Sequence, residues 1–381
     1  MPSPRLIAFY LPQFHPIREN DAWWGTGFTE WTNVAVARPR FRGHHQPHIP
    51  ADLGFYDLRL AETRQAQAAL ARQYGVRGFC YYHYWFNGTR LLERPFDEVL
   101  HSGKPDFPFC LCWANESWTR TWDGLEHQIL MKQDYSAADS QRHIEWLIRA
   151  FKDERYIRVD GKPLFIFWRL SDIPDASALL RTWRAEAVRS GLPGLYLCAM
   201  RNGHTAARDL DLLHAGADAI LDFQPNWTSF PMSGNLVNRL AVMGKELLPA
   251  SIFQAFGRAV SASRVLDYDG IVAARIAAAW PRDYTVYPCV FPTWDNSPRR
   301  KSALIIQNDD AGKYQRWLEA AIDTVNSYEP GKQIVFVNAW NEWAEGCHLE
   351  PDLEHGHAFL AATARALAGT DQAQSGGTSP A

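Results

Sequence analysis

The chain has 381 residues, 46% of them hydrophobic and 21% charged, with a formal net charge of −3. This length allows one large domain or two ordinary ones, and the composition suits a well-filled core. Acidic and basic residues are mixed, which argues against nucleic acid as a partner, and no run of 18 apolar residues is present to span a bilayer.

Taken in chain order, eight short apolar runs read as strands. They are RLIAFY (5–10), VRGFCYYHYW (76–85), FPFCLCW (107–113), LFIFW (164–168), LYLCAM (195–200), AILDF (219–223), TVYPCVF (285–291) and IVFVNAW (334–340). They are continuously apolar, as parallel strands covered on both faces are. Helix-period segments lie between them. Ile144, Leu147, Ile148 and Phe151 share one helix face, as do Tyr314, Trp317, Leu318, Ala321, Ile322 and Val325. Asp57 is expected to cap the helix beginning DLRLAETRQ and Gly75 to end it, while Asp267 or Asp269 suits the start of a helix near 270.

Eight strand–helix units without an evident linker predict a single α/β domain, a (β/α)8 TIM-like barrel over 1–367. Long insertions are expected after strand one (11–56) and strand six (224–260), and a disordered tail over 368–381. A doubly wound sheet is the alternative, but no GxGxxG follows any strand. The N-terminal apolar run is too short for a signal peptide, so cytoplasmic residence is expected. Five of the cysteines (Cys80, Cys110, Cys112, Cys198, Cys289) read as buried small hydrophobes in a reducing compartment. Cys347 is left open because it flanks WNEWAEG.

In such a barrel the active face lies where the strands end. Twelve of the sixteen tryptophans fall at or just past a strand end: Trp23, Trp24, Trp31, Trp85, Trp113, Trp118, Trp122, Trp168, Trp227, Trp294, Trp340 and Trp343. A broad apolar ring with one N–H donor suits stacking on a sugar. Tyr10, Tyr84, Gln13, His15, Glu30, Asn33, His83, Asn115, Glu116, Asp123, Arg169, Asp222, Asp295, Asn296 and Asn341 are interleaved with those rings. The face is expected to bind carbohydrate.

WNEWAEG (340–346) places Glu342 and Glu345 three residues apart between indoles. Retaining glycosidases hold their carboxyl groups about 5–5.5 Å apart and inverting ones about 6.5–9.5 Å. The spacing alone leaves both open, and Glu30 or Glu116 could also face Glu342. GHHQPH (43–48) invites a metal reading through His44, His45 and His48. Zinc needs three or four convergent ligands, which this segment cannot supply without distant help, so no metal or cofactor is expected. No Walker loop or GxSxG elbow is present.

YLPQFHPIRENDAWWGTGFTEWTNVAVARPRFRGHHQPHIPADLGFYDLR, CWANESWTRTWDG, PTWDNSPRR and NAWNEWAEGCHLEP together resemble the WbsX-type family of polysaccharide-locus proteins. That family is similar to the family 99 glycoside hydrolases, whose NEWHEG resembles NEWAEG here, with Ala344 replacing the histidine. The resemblance implies a retaining, endo-acting mechanism without a protein nucleophile or a metal. Glu342 would deprotonate the substrate's own 2-hydroxyl, which attacks C1 to give a 1,2-anhydro sugar. Glu345 would protonate the leaving oxygen and later activate water. This requires Glu342 ionised and Glu345 protonated at rest, with the surrounding indoles raising the acid. The expected substrate is a bacterial polysaccharide such as an O-antigen of lipopolysaccharide. Two alternatives stand beside it. One is a glycosyltransferase, for which RNGH (201–204) and PRRK (298–301) are the basic candidates; the other is a non-catalytic carbohydrate-binding protein.

Overall fold

The computed structural model describes residues 4–120, 125–228, 230 and 263–375. Eight parallel strands form a closed ring: β1 (Arg5–Tyr10), β2 (Val76–Phe86), β3 (Phe109–Trp113), β4 (Lys162–Phe167), β5 (Tyr196–Arg201), β6 (Ala219–Asp222), β7 (Val286–Val290) and β8 (Ile334–Val337). Each pairs with its neighbours in sequence, and β1 closes the ring between β2 and β8. A helix follows every strand: Ala61–Gln73, Arg94–Ser102, Ala137–Phe151, Ala176–Arg189, Asp209–His214, Tyr268–Ile276, Ala311–Asn326 and Ala358–Ser375. The expected (β/α)8 barrel is the fold.

Continuous apolarity in the strands reflects two cores rather than one. Alternate residues point inward, where Phe9 meets Tyr82, Phe223 and Phe336 at centroid distances of 5.5, 5.2 and 5.6 Å. Their neighbours point outward against the helices, where Trp113 stacks on a fully buried Trp183. Both predicted helix faces are buried as expected, apart from the extra polar members Asp139 and His143. Gly78 is required by close approach, because a Cβ there would lie 2.7 Å from Ile157 and 2.9 Å from the Pro108 carbonyl.

One local expectation is changed and one open question is settled. Asp57 does not cap its helix, which begins at Ala61; its carboxylate instead accepts from the Arg59 amide at 2.8 Å and from the Arg59 guanidinium. The last helix runs from Ala358 to Ser375. Thr363 of that helix bonds Tyr314 at 3.1 Å, packing it on Ala311–Asn326. Cys347, left open, is buried, as are the other five free cysteines. Gly75 (φ +86°) ends its helix, and Asp267 caps Tyr268–Ile276 through the amides of Asp269 and Gly270. Most of the insertion expected over 224–260 lies outside the described residues. Among those described, no helix is long and apolar enough to cross a membrane.

Candidate active site

The loop after β8 is tied to the ends of two other strands. Asn338 donates to the Gln224 carbonyl beyond β6 at 3.0 Å. Asn341 accepts from the Leu11 amide at 2.7 Å and donates to the Leu11 carbonyl at 3.0 Å, just past β1. The short strand Asn341–Glu342 then pairs with Cys347–His348, and Trp343–Glu345 forms a single 3-10 turn. Such a turn has three residues per revolution, so residues three apart stand on one edge. Glu342 and Glu345 therefore both face the cleft. Trp340 and Trp343, also three apart, face the other way.

Gly346 makes the turn possible. It has φ +55°, and a Cβ there would meet Asp295 at 3.0 Å. Behind the turn Trp343 donates to Glu350 at 2.7 Å and stacks on His348 with ring centroids 3.8 Å apart. Gln67 and Tyr56 also donate to Glu350, at 2.6 and 2.7 Å.

In front of the turn a single guanidinium holds three carboxylates. Arg299 reaches Glu30 through Nε at 2.7 Å, Glu342 through Nη2 at 3.0 Å and Glu345 through Nη1 at 2.9 Å. Glu30 opens the short helix Glu30–Val36 and is fully buried. Arg40 pins the loop carrying Arg299 by donating to the carbonyls of Ser297 and Lys301, both at 2.7 Å. Burial opposes the charge on Arg299, but Glu30, Glu345 and Glu342 outweigh it and hold the guanidinium firmly protonated.

One positive charge faces three carboxylates, of which Glu30 and Glu342 are buried. Burial, more than the neighbouring Glu345 and Glu30, raises Glu342 to about 8 although Arg299 pulls it down. Burial likewise raises Glu30 against the pull of Arg299. The expectation placed the raised group at Glu345 and an ionised one at Glu342. The structure buries Glu342 more deeply, with 7% of its side chain exposed against 22% for Glu345.

The cleft above these acids has a volume of about 960 Å³. Of the residues proposed from sequence, Gln13, Trp24, Tyr84, Asn115, Glu116, Trp118 and Trp294 line it beside Glu342 and Glu345. Others face elsewhere for a period-two reason. On β2, Tyr82 and Tyr84 point into the cleft while His83 and Trp85 point at the helix Ala137–Phe151. His83 bonds His143 at 2.8 Å and Trp85 donates to Asp139 at 3.0 Å. Tyr10 donates outward to Gln67 at 2.7 Å, and Trp113 donates to the Trp85 carbonyl at 3.3 Å.

Loop packing removes the rest. Trp31 donates to the Tyr56 carbonyl, and Trp340 packs on Phe79. Trp23 lies edge-on to Trp118, and His15 is buried, its pKa lowered by burial to about 4. Asp295 accepts from His44, Gln46 and Ser297, bonds that hold it below the usual carboxylate range despite burial. Trp343 and Asn341 are structural in the way described above, whereas Asn115 lines the cleft and also bridges the amide and carbonyl of Arg169. Asp123 lies outside the described residues.

Several lining residues went unnoticed in the sequence. Arg299 sits in PTWDNSPRR, where only its charge drew attention. Asn20, Tyr82, Gln133 and Tyr135 also line the cleft, beside Trp168, Trp227, Arg169 and Asn296, which the sequence does place at the strand ends. Among the described residues, both amide atoms of Asn20 and of Gln133, and the indole N–H groups of Trp168 and Trp294, are buried without a protein partner. A buried polar atom left unpaired costs roughly 1–3 kcal/mol.

The paired acids and the aromatic rings thus meet in one cleft at the strand ends of a closed parallel barrel. The family profile described as glycosyltransferase WbsX matches residues 6–363, and the chain belongs to that family. Relatives in two strains of Xanthomonas campestris pv. campestris, both described as uncharacterized protein WxcX, are 41% identical over 365 residues, covering 95% of this chain and 49% of theirs. The chain spans about half the length of those relatives. Among solved structures, the GH99 endo-alpha-mannosidase of Bacteroides thetaiotaomicron superposes with a TM-score of 0.57 at 15% identity, covering 97% of this chain and 98% of that one. A glycoside hydrolase-like protein gives 0.58 at 14% identity, covering 96% and 94%. At such identities the likeness is one of fold.

Proposed function

We propose that the chain is a retaining glycosidase acting within a bacterial polysaccharide, with Glu342 and Glu345 as its catalytic pair. The observation that carries this is the 3-10 turn that aims both carboxylates into the aromatic cleft, linked by Arg299. In the first step Glu342 takes the proton of the sugar's 2-hydroxyl, O2 attacks C1, and Glu345 gives its proton to the departing glycosidic oxygen. In the second, Glu345 takes a proton from water, the resulting oxygen attacks C1, and the C1–O2 bond opens as Glu342 returns its proton. Both steps balance, and two displacements at C1 retain its configuration.

Burial of Glu342 suits a base. A carboxylate with raised proton affinity is a stronger base once ionised, and Arg299 stabilises it until the proton arrives. Tyr82, Tyr84, Trp118 and Trp168 supply ring faces for sugar stacking, and the amides of Asn20 and Gln133 supply hydroxyl partners.

A second reading rests on a specific observation. Arg169, Arg264, Arg300 and His204 line the same cleft, so the two basic segments marked in the sequence converge there. An anionic donor would find them, and the same acids could pass the sugar to a hydroxyl instead of water. Incubation with defined α-mannans and rhamnose-containing O-polysaccharides tests both. New reducing ends from the wild type and none from Glu345→Gln support hydrolysis. Consumption of a sugar nucleotide without glycan cleavage supports transfer. Equal glycan binding by both proteins with no turnover contradicts either.

A further inference from the structure

GHHQPH does not act as one unit. His44 turns inward to Asp295 at 2.7 Å, and His45 meets Glu354 at 2.5 Å on the surface. His48 goes to a third place, the far side of the WNEWAEG turn from the cleft. There its Nδ1 lies 2.9 Å from Nε2 of His348, and that Nε2 lies 3.8 Å from Oδ2 of Asp352. One donor atom from each of the three falls within 4.8 Å of the others. The distant help missing from the segment is supplied by CHLEPD, 300 positions away.

The surroundings orient these groups as metal ligands are oriented. His348 Nδ1 lies 2.8 Å from the Glu350 carbonyl, to which its N–H donates, leaving Nε2 with a lone pair toward His48 and Asp352. Asp352 is held by the amides of Glu354 and His355 through Oδ1 and by the His355 ring through Oδ2 at 3.1 Å. Trp343 stacks on the His348 ring and fixes its plane. Zinc bonds nitrogen and oxygen at about 2.0–2.1 Å, which places adjacent tetrahedral ligands roughly 3.3 Å apart. The separations of 2.9 and 3.8 Å lie on either side of that value.

We propose that His48, His348 and Asp352 form a binding site for a divalent transition metal, zinc foremost. Two imidazoles and one carboxylate favour zinc over calcium or magnesium, which prefer all-oxygen shells. None of the three lines the cleft, so the metal has a positioning role. It joins the insertion after β1 to the 347–356 loop and braces Trp343 from behind. The inference is independent of which sugar is processed and of whether it is cleaved or transferred.

The full chain is stripped with a chelator and titrated with zinc(II) against a chromogenic chelator, with thermal melting as a parallel readout. The wild type is expected to bind one equivalent and to melt at a higher temperature when loaded. His48→Gln, checked for a native circular dichroism spectrum, is expected to lose affinity by more than about tenfold, and His45→Ala to keep it. Cobalt(II) added to stripped wild type gives a readout that needs no variant, through visible bands of nitrogen and oxygen coordination. Uptake of neither zinc nor cobalt by the wild type overturns the site. So does a His48→Gln protein that binds zinc as tightly as the wild type.

Discussion

The two sides of the WNEWAEG turn treat buried carboxylates in opposite ways. Behind it, Glu350 accepts from Trp343, Gln67 and Tyr56, three neutral donors within 2.6–2.7 Å. Burial raises Glu350 to about 7 while those three donors pull it back. In front, Glu342 shares one guanidinium with Glu30 and Glu345, and one oxygen of Glu30 has no hydrogen-bond partner among the described residues. A paired back wall and an under-neutralised front are what a preorganised site requires: rigidity comes from one side and reactivity is kept on the other. The contrast predicts that substitutions in front change rate and substitutions behind change stability.

The largest effect is expected in front. Glu345→Gln should lower turnover by about 10²–10⁴-fold, the usual weight of a positioned acid, while calorimetry shows a nearly unchanged melting temperature. Behind the turn, Glu350→Ala leaves three buried donors unpaired, at roughly 1–3 kcal/mol each, and should destabilise the fold by about 3 kcal/mol or more in denaturant titrations. Should the two outcomes be exchanged, the division between the sides is wrong.

The pH dependence sharpens the same contrast. Glu342 has a folded pKa above its ordinary value of 4.5, so the folded state binds the extra proton. Its contribution to stability is complete below the ordinary carboxylate range and is lost as pH rises through about 8. Glu342→Gln should flatten this alkaline fall in melting temperature. The proposed base must be ionised, so kcat/KM should rise with pH well above the ordinary carboxylate range. The smallest effect is expected at Trp168→Phe. It keeps a ring but removes an unpaired N–H, and a lost hydrogen bond of about 1 kcal/mol should raise KM roughly fivefold, while the free protein melts no lower than the wild type.

The barrel was legible because each strand is buried on both faces and the helices Ala137–Phe151 and Ala311–Asn326 carry apolar stripes. The acid pair was legible from local spacing, since a 3-10 turn needs only three residues to bring Glu342 and Glu345 to one edge. Which aromatic residues face the cleft was not. Tyr82 and Tyr84 differ from His83 and Trp85 only in register, and both sets are apolar runs at a strand end. Arg299 was hidden for another reason. Its partners lie at positions 30, 342 and 345, and only closure of the barrel brings the PTWDNSPRR loop over the β8 turn. His48 with His348 and Asp352 was concealed in the same way.

The central claim is that Glu342 and Glu345 act together at C1. Proton NMR of the first product from a glycan the wild type cleaves tests it most directly, with Glu342→Gln run alongside. The account predicts a product that initially keeps the substrate's anomeric configuration, and no product from the variant. An inverted product, or undiminished cleavage by Glu342→Gln, would contradict it.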